Sequence, residues 1–371
     1  MFRNLASASR AALSKAFTLS IFLFPEIVCV TAQGKDKDPL IEVYSSQQII
    51  TGVTTTAGGR VFFEYPHMDG SSGMRIGELG KDGKVRSFPD DAWNGWAPGR
   101  PTEHSFVRTN SMRIGPDGLL WVVDTGTPKF GAKIIHGGVK LVALDLTHNE
   151  VARIFPLDEC THEDSFVDDV RFNGQYAFLT DAGRPALIVL DLTTGKARRV
   201  LENHDSTTAR RPVVASGNVL RTVDGKDVKI HADQMEVSPD GKYLYYQALT
   251  GPMYRVETQY LQDPHISKTA LGGKVSHWAN TPSTGGTAID SSGTIYLSDV
   301  EKRRILSMDP VGQIKVILED TRLDWPDAMW IDGDGYLWMP VAQLDKIAPF
   351  QGGKSQVVYP IRIYKMRVTN H

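Results

Sequence analysis

The chain has 371 residues, a formal charge of −2 and two cysteines. That balance, with no basic run beyond Arg198-Arg199, Arg210-Arg211 and Lys302-Arg303-Arg304, argues against a nucleic-acid partner. Two cysteines in a chain of this length also exclude a small disulfide-stapled scaffold, so stability has to come from a buried core.

In chain order, Arg3, Arg10 and Lys15 precede an apolar stretch over residues 16–30, and Val30-Thr31-Ala32 offers small residues for cleavage. Residues 1–32 therefore read as a signal peptide, and the stretch is too short and too broken by Pro25 and Glu26 to span a membrane. The expected product is a secreted or extracytoplasmic protein with no membrane insertion after signal removal, a single domain over residues 33–371, and a monomer. Cys29 leaves with the signal, so Cys160 stands alone and no internal disulfide forms. Its acidic neighbours His162-Glu163-Asp164 disfavour a reactive thiolate.

From there the chain repeats one phrase: a polar or acidic residue, an apolar run, a glycine turn and an aromatic-rich run. Copies are centred on Asp117-Gly118, Asp240-Gly241, Ser292-Gly293 and Asp334-Gly335. Two apolar runs split by such a turn signal a hairpin, and a recurring hairpin signals a repeat fold. The turn glycines Gly59, Gly118, Gly174, Gly241, Gly293 and Gly335 number six, which predicts an all-β, six-bladed propeller. Residues 140–146 with 151–155, and 186–192 with 197–201, read as outer strand pairs. The last run, 359–368, can join residues 41–44 in one blade, closing the ring by pairing the two chain ends.

The residue opening each inner strand lies near the propeller axis. Asn110, Asp168 or Asp169, Asp233, Thr287 and Asp327 are thereby predicted to converge. Crowded carboxylates raise one another's pKa, and one of them can act as an acid or base near neutral pH. The same oxygen-rich set suits a hard cation such as Ca²⁺ or Mg²⁺. The structural alternative is that blade-start aspartates only bond backbone amides and stitch neighbouring blades. His104 and His231 flank inner strands and can shuttle protons, or simply sit in loops. Trp96, in Trp93-Asn94-Gly95-Trp96, and Trp325, in Asp324-Trp325-Pro326, can wall a pocket for an aromatic guest or pack between blades. No zinc-ligand spacing and no Gly-x-Ser-x-Gly elbow occurs.

Four phrases, in order, resemble the major royal jelly protein/Yellow family. They are Leu119-Leu120-Trp121-Val122-Val123-Asp124-Thr125-Gly126, Phe166-Val167-Asp168-Asp169-Val170, Tyr176-Ala177-Phe178-Leu179-Thr180-Asp181-Ala182-Gly183 and Leu244-Tyr245-Tyr246-Gln247-Ala248-Leu249. The resemblance implies a secreted six-bladed propeller with a ligand pocket at its channel mouth. Members are linked to catecholamine chemistry, biogenic-amine binding and nutritive roles, and related fungal propellers serve natural-product pathways. The paired cysteines of insect members are missing here. The reading that follows is a protein that binds a small aromatic or amine-bearing ligand at the channel mouth. It can isomerise or cyclise that ligand by acid/base catalysis without a redox cofactor, with Asp233, Asp327, His231 and Asp168 as catalytic groups. Asn110, Thr287, Trp96, Trp325 and His104 would contact the ligand.

The chain is also similar to the gluconolactonase group, whose propellers hold one divalent ion on the axis. That similarity implies the alternative of a metal-dependent lactonase, with Ca²⁺ or another divalent ion on Asp168, Asp233 and Asp327 and a further glutamate near Glu64. A non-catalytic secreted binding protein is the third reading.

Overall fold

A computed structural model describes residues 38–368, and the chain from Pro39 onward forms one compact unit. The signal-peptide expectation for residues 1–32 lies outside the described residues. Six four-stranded antiparallel sheets follow one another as propeller blades. Their inner strands are Gly52–Thr55, Thr109–Ile114, Val167–Asn173, Ala232–Val237, Thr284–Ile289 and Trp330–Ile331. All six predicted turn glycines join a first strand to a second, with φ between 58° and 86°. Only glycine takes that left-handed conformation without a Cβ penalty, which is why the repeat was visible at these positions.

Blade six closes the ring. Its third strand, Ile361–Arg367, pairs with Tyr336–Val341 on one side and with Ile41–Ser46 on the other. The outermost strand of the last blade is thus supplied by the start of the fold. Apolar faces of successive blades pack on each other: Trp121, Val123 and Leu141 of blade two meet Val170, Leu179 and Ile188 of blade three. No helix among the described residues is long and apolar enough to cross a membrane.

Two features position the site. First, the inner strands of blades two to five are each bulged near their starts, with register breaks between Thr109 and Ser111, Val167 and Val170, Ala232 and Met235, and Thr284 and Thr287. A bulge leaves its extra residues unpaired and re-aims their side chains. Those residues are Asn110, Asp168 with Asp169, Asp233 with Gln234, and Gly285 with Gly286. Second, long excursions rise over that end of the channel. One, between blades three and four, carries the hairpin Val214–Ala215 and Asn218–Val219. Its Val213, Leu220 and Val228 share a buried cluster with Trp325, Leu344 and Ile347 of blade six.

Aspartates that close the second strands brace their own blades from within. Asp124 accepts the backbone N–H groups of Val107 (2.7 Å) and Arg108 (3.0 Å) and pairs with Lys140 at 2.9 Å. Asp181 accepts from Phe166 N and pairs with Arg199, and Asp299 accepts from Glu301 N and pairs with Arg304.

Candidate functional site

At the bulged end of the channel lies a cavity of about 750 Å³. Asn110, Asp168, Asp233, Thr287, Trp325 and Asp327 all line it. Thr287 corresponds to Met235 and lies two residues further along its strand than the blade-five counterparts of Asp233 and Gln234, which are the glycines Gly285 and Gly286. A Cβ on Gly285 would stand 2.5 Å from Pro326 O, and one on Gly286 2.4 Å from Asp327 O. Blade six can approach the axis only because these two side chains are absent.

Asn110 Nδ2 donates to Asp168 Oδ1, and Asp168 is hydrogen-bonded in turn to Asp233. Asp233 is 8% exposed, and burial together with the Asp168 charge holds its carboxyl well above the usual range. Burial raises Asp168 to about 6, against the hydrogen bond from Asp233 that favours its charged form. The two carboxyls thus titrate as a pair, both raised by burial and by each other's proximity. Asp327 is also raised, mainly by burial, while its two oxygens accept from Ala328 N (2.9 Å) and Trp325 Nε1 (3.0 Å). Trp325 adopts φ 59°, a strained backbone for a bulky side chain, and this strain lies directly beside the carboxyl cluster. The Oδ1 of Asn110 and the Oε1 of Gln234 are buried acceptors without a partner among the described residues. The floor is thus rich in acceptors and poor in protons.

Below it runs a buried belt linking five blades. Ser111 Oγ donates to Asp169, which holds Arg171 at 2.8 Å; Arg171 grips Glu236 at 2.7 and 2.8 Å; and Thr287 donates to Glu236 at 2.9 Å. Arg113 spans from blade two to the Met329 carbonyl of blade six, 2.6 Å away. This network partitions the channel. Nearby, Glu64 is 0% exposed and accepts from the hydroxyls of Thr51 and Thr109, and burial lifts it to about 7.

Three predicted site residues, the ligand contacts Trp96 and His104 and the catalytic candidate His231, do not line the cavity. Trp96 is buried in its own loop, its indole N–H on Arg100 O at 3.2 Å. His104 is exposed, edge-on to Trp93 at 6.4 Å. His231 accepts from Ala209 N at 3.1 Å, and burial lowers its pKa, so it is a neutral structural acceptor beside the site. Cys160 is buried, which pushes its thiol up. Conversely, sequence reasoning missed the aromatic wall. Phe130 meets Phe350 edge-on at 5.7 Å and Phe166 at 6.3 Å, and all three line the cavity. They come from three unrelated excursions, so no periodicity marks them.

As a cation site the oxygen donors have suitable chemistry, but their arrangement does not fit one ion. Glu64 lies outside the cavity lining with both oxygens engaged, Asp327 has both oxygens engaged, and Asp168 and Asp233 are hydrogen-bonded to each other. Among the described residues no three His, Cys, Asp or Glu side chains are grouped to hold a metal.

Solved structures of similar fold include a streptogramin B lyase, 12% identical, covering 89% of this chain and 97% of that one, with a TM-score of 0.52. A gluconolactonase from Xanthomonas campestris is 12% identical over 88% of this chain and 89% of its own, with a TM-score of 0.53. A calcium-binding regucalcin from Agrobacterium tumefaciens is 11% identical over 88% and 93%, with a TM-score of 0.51. No curated protein matches the sequence. The family model described as "Major royal jelly protein" matches residues 109–370, which take in blades two to six, and the chain belongs to that family.

Proposed function

We propose that this protein is a secreted propeller that binds a small aromatic, amine-bearing or natural-product ligand in the channel-mouth cavity and isomerises or cyclises it by proton transfer. The observation that carries this reading is the Asp168–Asp233 pair, two buried, hydrogen-bonded carboxyls whose pKa values are both raised, on the floor of a cavity of about 750 Å³. Asp168 takes a proton from one position of the ligand while Asp233 delivers one to another, so the reaction balances without an external oxidant or reductant. Phe130, Phe166, Phe350 and Trp325 supply flat apolar surface for a ring. Asn110 Oδ1 and Gln234 Oε1 await hydrogen-bond donors on the ligand, which favours an amine-bearing or hydroxyl-rich guest.

The test is calorimetric screening with aromatic amines and polyhydroxylated aromatics, followed by product analysis. Asp233→Asn should retain binding and lose turnover, because its amide cannot deliver the proton. Retained turnover in that variant would sink the mechanism and leave a binding protein.

The second reading, a divalent-cation-dependent lactonase, draws support from like-charge coupling among Glu64, Asp168, Asp233 and Asp327, and from fold likeness to a gluconolactonase and a calcium-binding regucalcin. It requires the carboxyls to regroup. Elemental mass spectrometry on protein purified without chelator decides it: near one equivalent per chain would favour the lactonase, and an empty site would retire it.

A further inference from the structure

The opposite end of the channel, at the hairpin-turn ends of the inner strands, holds a separate cavity of about 320 Å³. Ile114, Phe172, Val237, Ile289 and Trp330 give it apolar walls, and Arg113, Arg171 and Glu236 form its polar floor. Arg171 is saturated by Asp169 and Glu236, and both Glu236 oxygens are occupied. Arg113 is different. Its side chain is only 6% exposed, yet Nε and Nη2 have no hydrogen-bond partner among the described residues. Its remaining nitrogen, Nη1, is committed to Met329 O, and Asp169 Oδ2 stands 3.9 Å from Nη2, beyond hydrogen-bond reach.

The Nε–H and Nη2–H bonds are the parallel pair with which a guanidinium grips both oxygens of a carboxylate. Leaving them unmade in a buried place is costly, so an acceptor belongs there. Arg113 lines both cavities, and charge decides from which side that acceptor comes. The upper cavity presents Asp168, Asp233 and Asp327, which have no basic partner in an ion pair among the described residues and disfavour an anion. The lower cavity presents one carboxylate, Glu236, already neutralised by Arg171. The geometry points to the lower cavity as a second binding site, independent of the channel-mouth site, for a small amphipathic carboxylate. Its carboxylate would sit on the unpaired fork of Arg113 and its apolar body against Phe172, Ile289 and Trp330.

Ligand-observed fluorine NMR with para-fluorobenzoate tests this on the intact protein, with para-fluorobenzyl alcohol as the uncharged match. The acid should bind about tenfold or more tightly than the alcohol, the worth of a charge-assisted pair. Arg113→Lys keeps the charge and loses the fork, and should weaken the acid by about tenfold or more. Ile289→Trp fills the apolar half without touching Arg113 and should abolish binding even if the Arg113 variant does not fold. Equal affinity for acid and alcohol, no binding of the acid, or an affinity for the acid unchanged in Ile289→Trp would each overturn the assignment.

Discussion

Replacing Glu64 by Gln should make the protein more stable at alkaline pH while leaving it nearly unchanged in acid. Glu64 is fully buried, and its carboxyl rises from 4.5 to about 7, chiefly through the cost of burying its charge, with the Thr51 and Thr109 hydroxyls and Arg108 offsetting part of that cost. At ~1.4 kcal/mol per tenfold, that rise corresponds to ~3 kcal/mol. The sign follows from proton counting. Between 4.5 and about 7 the folded state holds a proton that the unfolded chain has released, so stability falls as pH rises through that window and stays low above it. Glutamine is neutral throughout. The stability of Glu64→Gln minus that of the parent should therefore climb by ~3 kcal/mol between about pH 4 and about pH 8.5. Loss of the Glu64 charge also eases ionisation of Asp327, which counts Glu64 among the charges raising it, and this adds in the same direction. Urea titrations at several pH values, in the presence of chelator, measure it. A difference that stays flat across the range would refute both the burial of an uncompensated carboxyl and the inference that this end of the channel is short of positive charge.

Three further outcomes follow from the same structure. Arg171→Met removes the shared partner of Asp169 and Glu236, leaving two buried carboxylates, and should cost ~3–5 kcal/mol in urea denaturation. Gly286→Ala forces a methyl to within 2.4 Å of the Asp327 carbonyl. It should lower stability by ~1–3 kcal/mol and weaken ligand binding in the upper cavity together, both readable by thermal unfolding with and without ligand. Deleting residues 38–46 strips the outer edge of Ile361–Arg367, and size-exclusion chromatography should show self-association through the bared strand.

The blade count and ring closure were legible because they rest on local chemistry: six turns that demand positive φ, and an alternating run at each end of the fold. The carboxyl floor was legible in outline, since equivalent positions of a repeat share a radius. In blade five the register was misread: Asp233 stands eight residues before its turn glycine Gly241, and the position eight before Gly293 is Gly285, so the glycine pair and not Thr287 is the counterpart of Asp233 and Gln234. Looking for a polar side chain at that position led past the glycines to Thr287. Trp96 and His104 failed for another reason: proximity in sequence to an inner strand does not say whether a loop side chain turns into the channel, into its own loop or into solvent.

The aspartates also separate into two sets that the sequence could not tell apart. Asp124, Asp181 and Asp299 close second strands, accept backbone N–H groups and each hold a basic partner. These bonds each lie within one blade, so this set braces the blades internally through carboxylates paired with cations. Asp168, Asp233 and Asp327 have no basic partner in an ion pair among the described residues, and burial raises all three. Uncompensated buried carboxyls work against folding as pH rises, and apolar residues in the same places would not. Three of them on one cavity floor are hard to explain as architecture, and the chemistry they retain is the capacity to hold and hand over a proton.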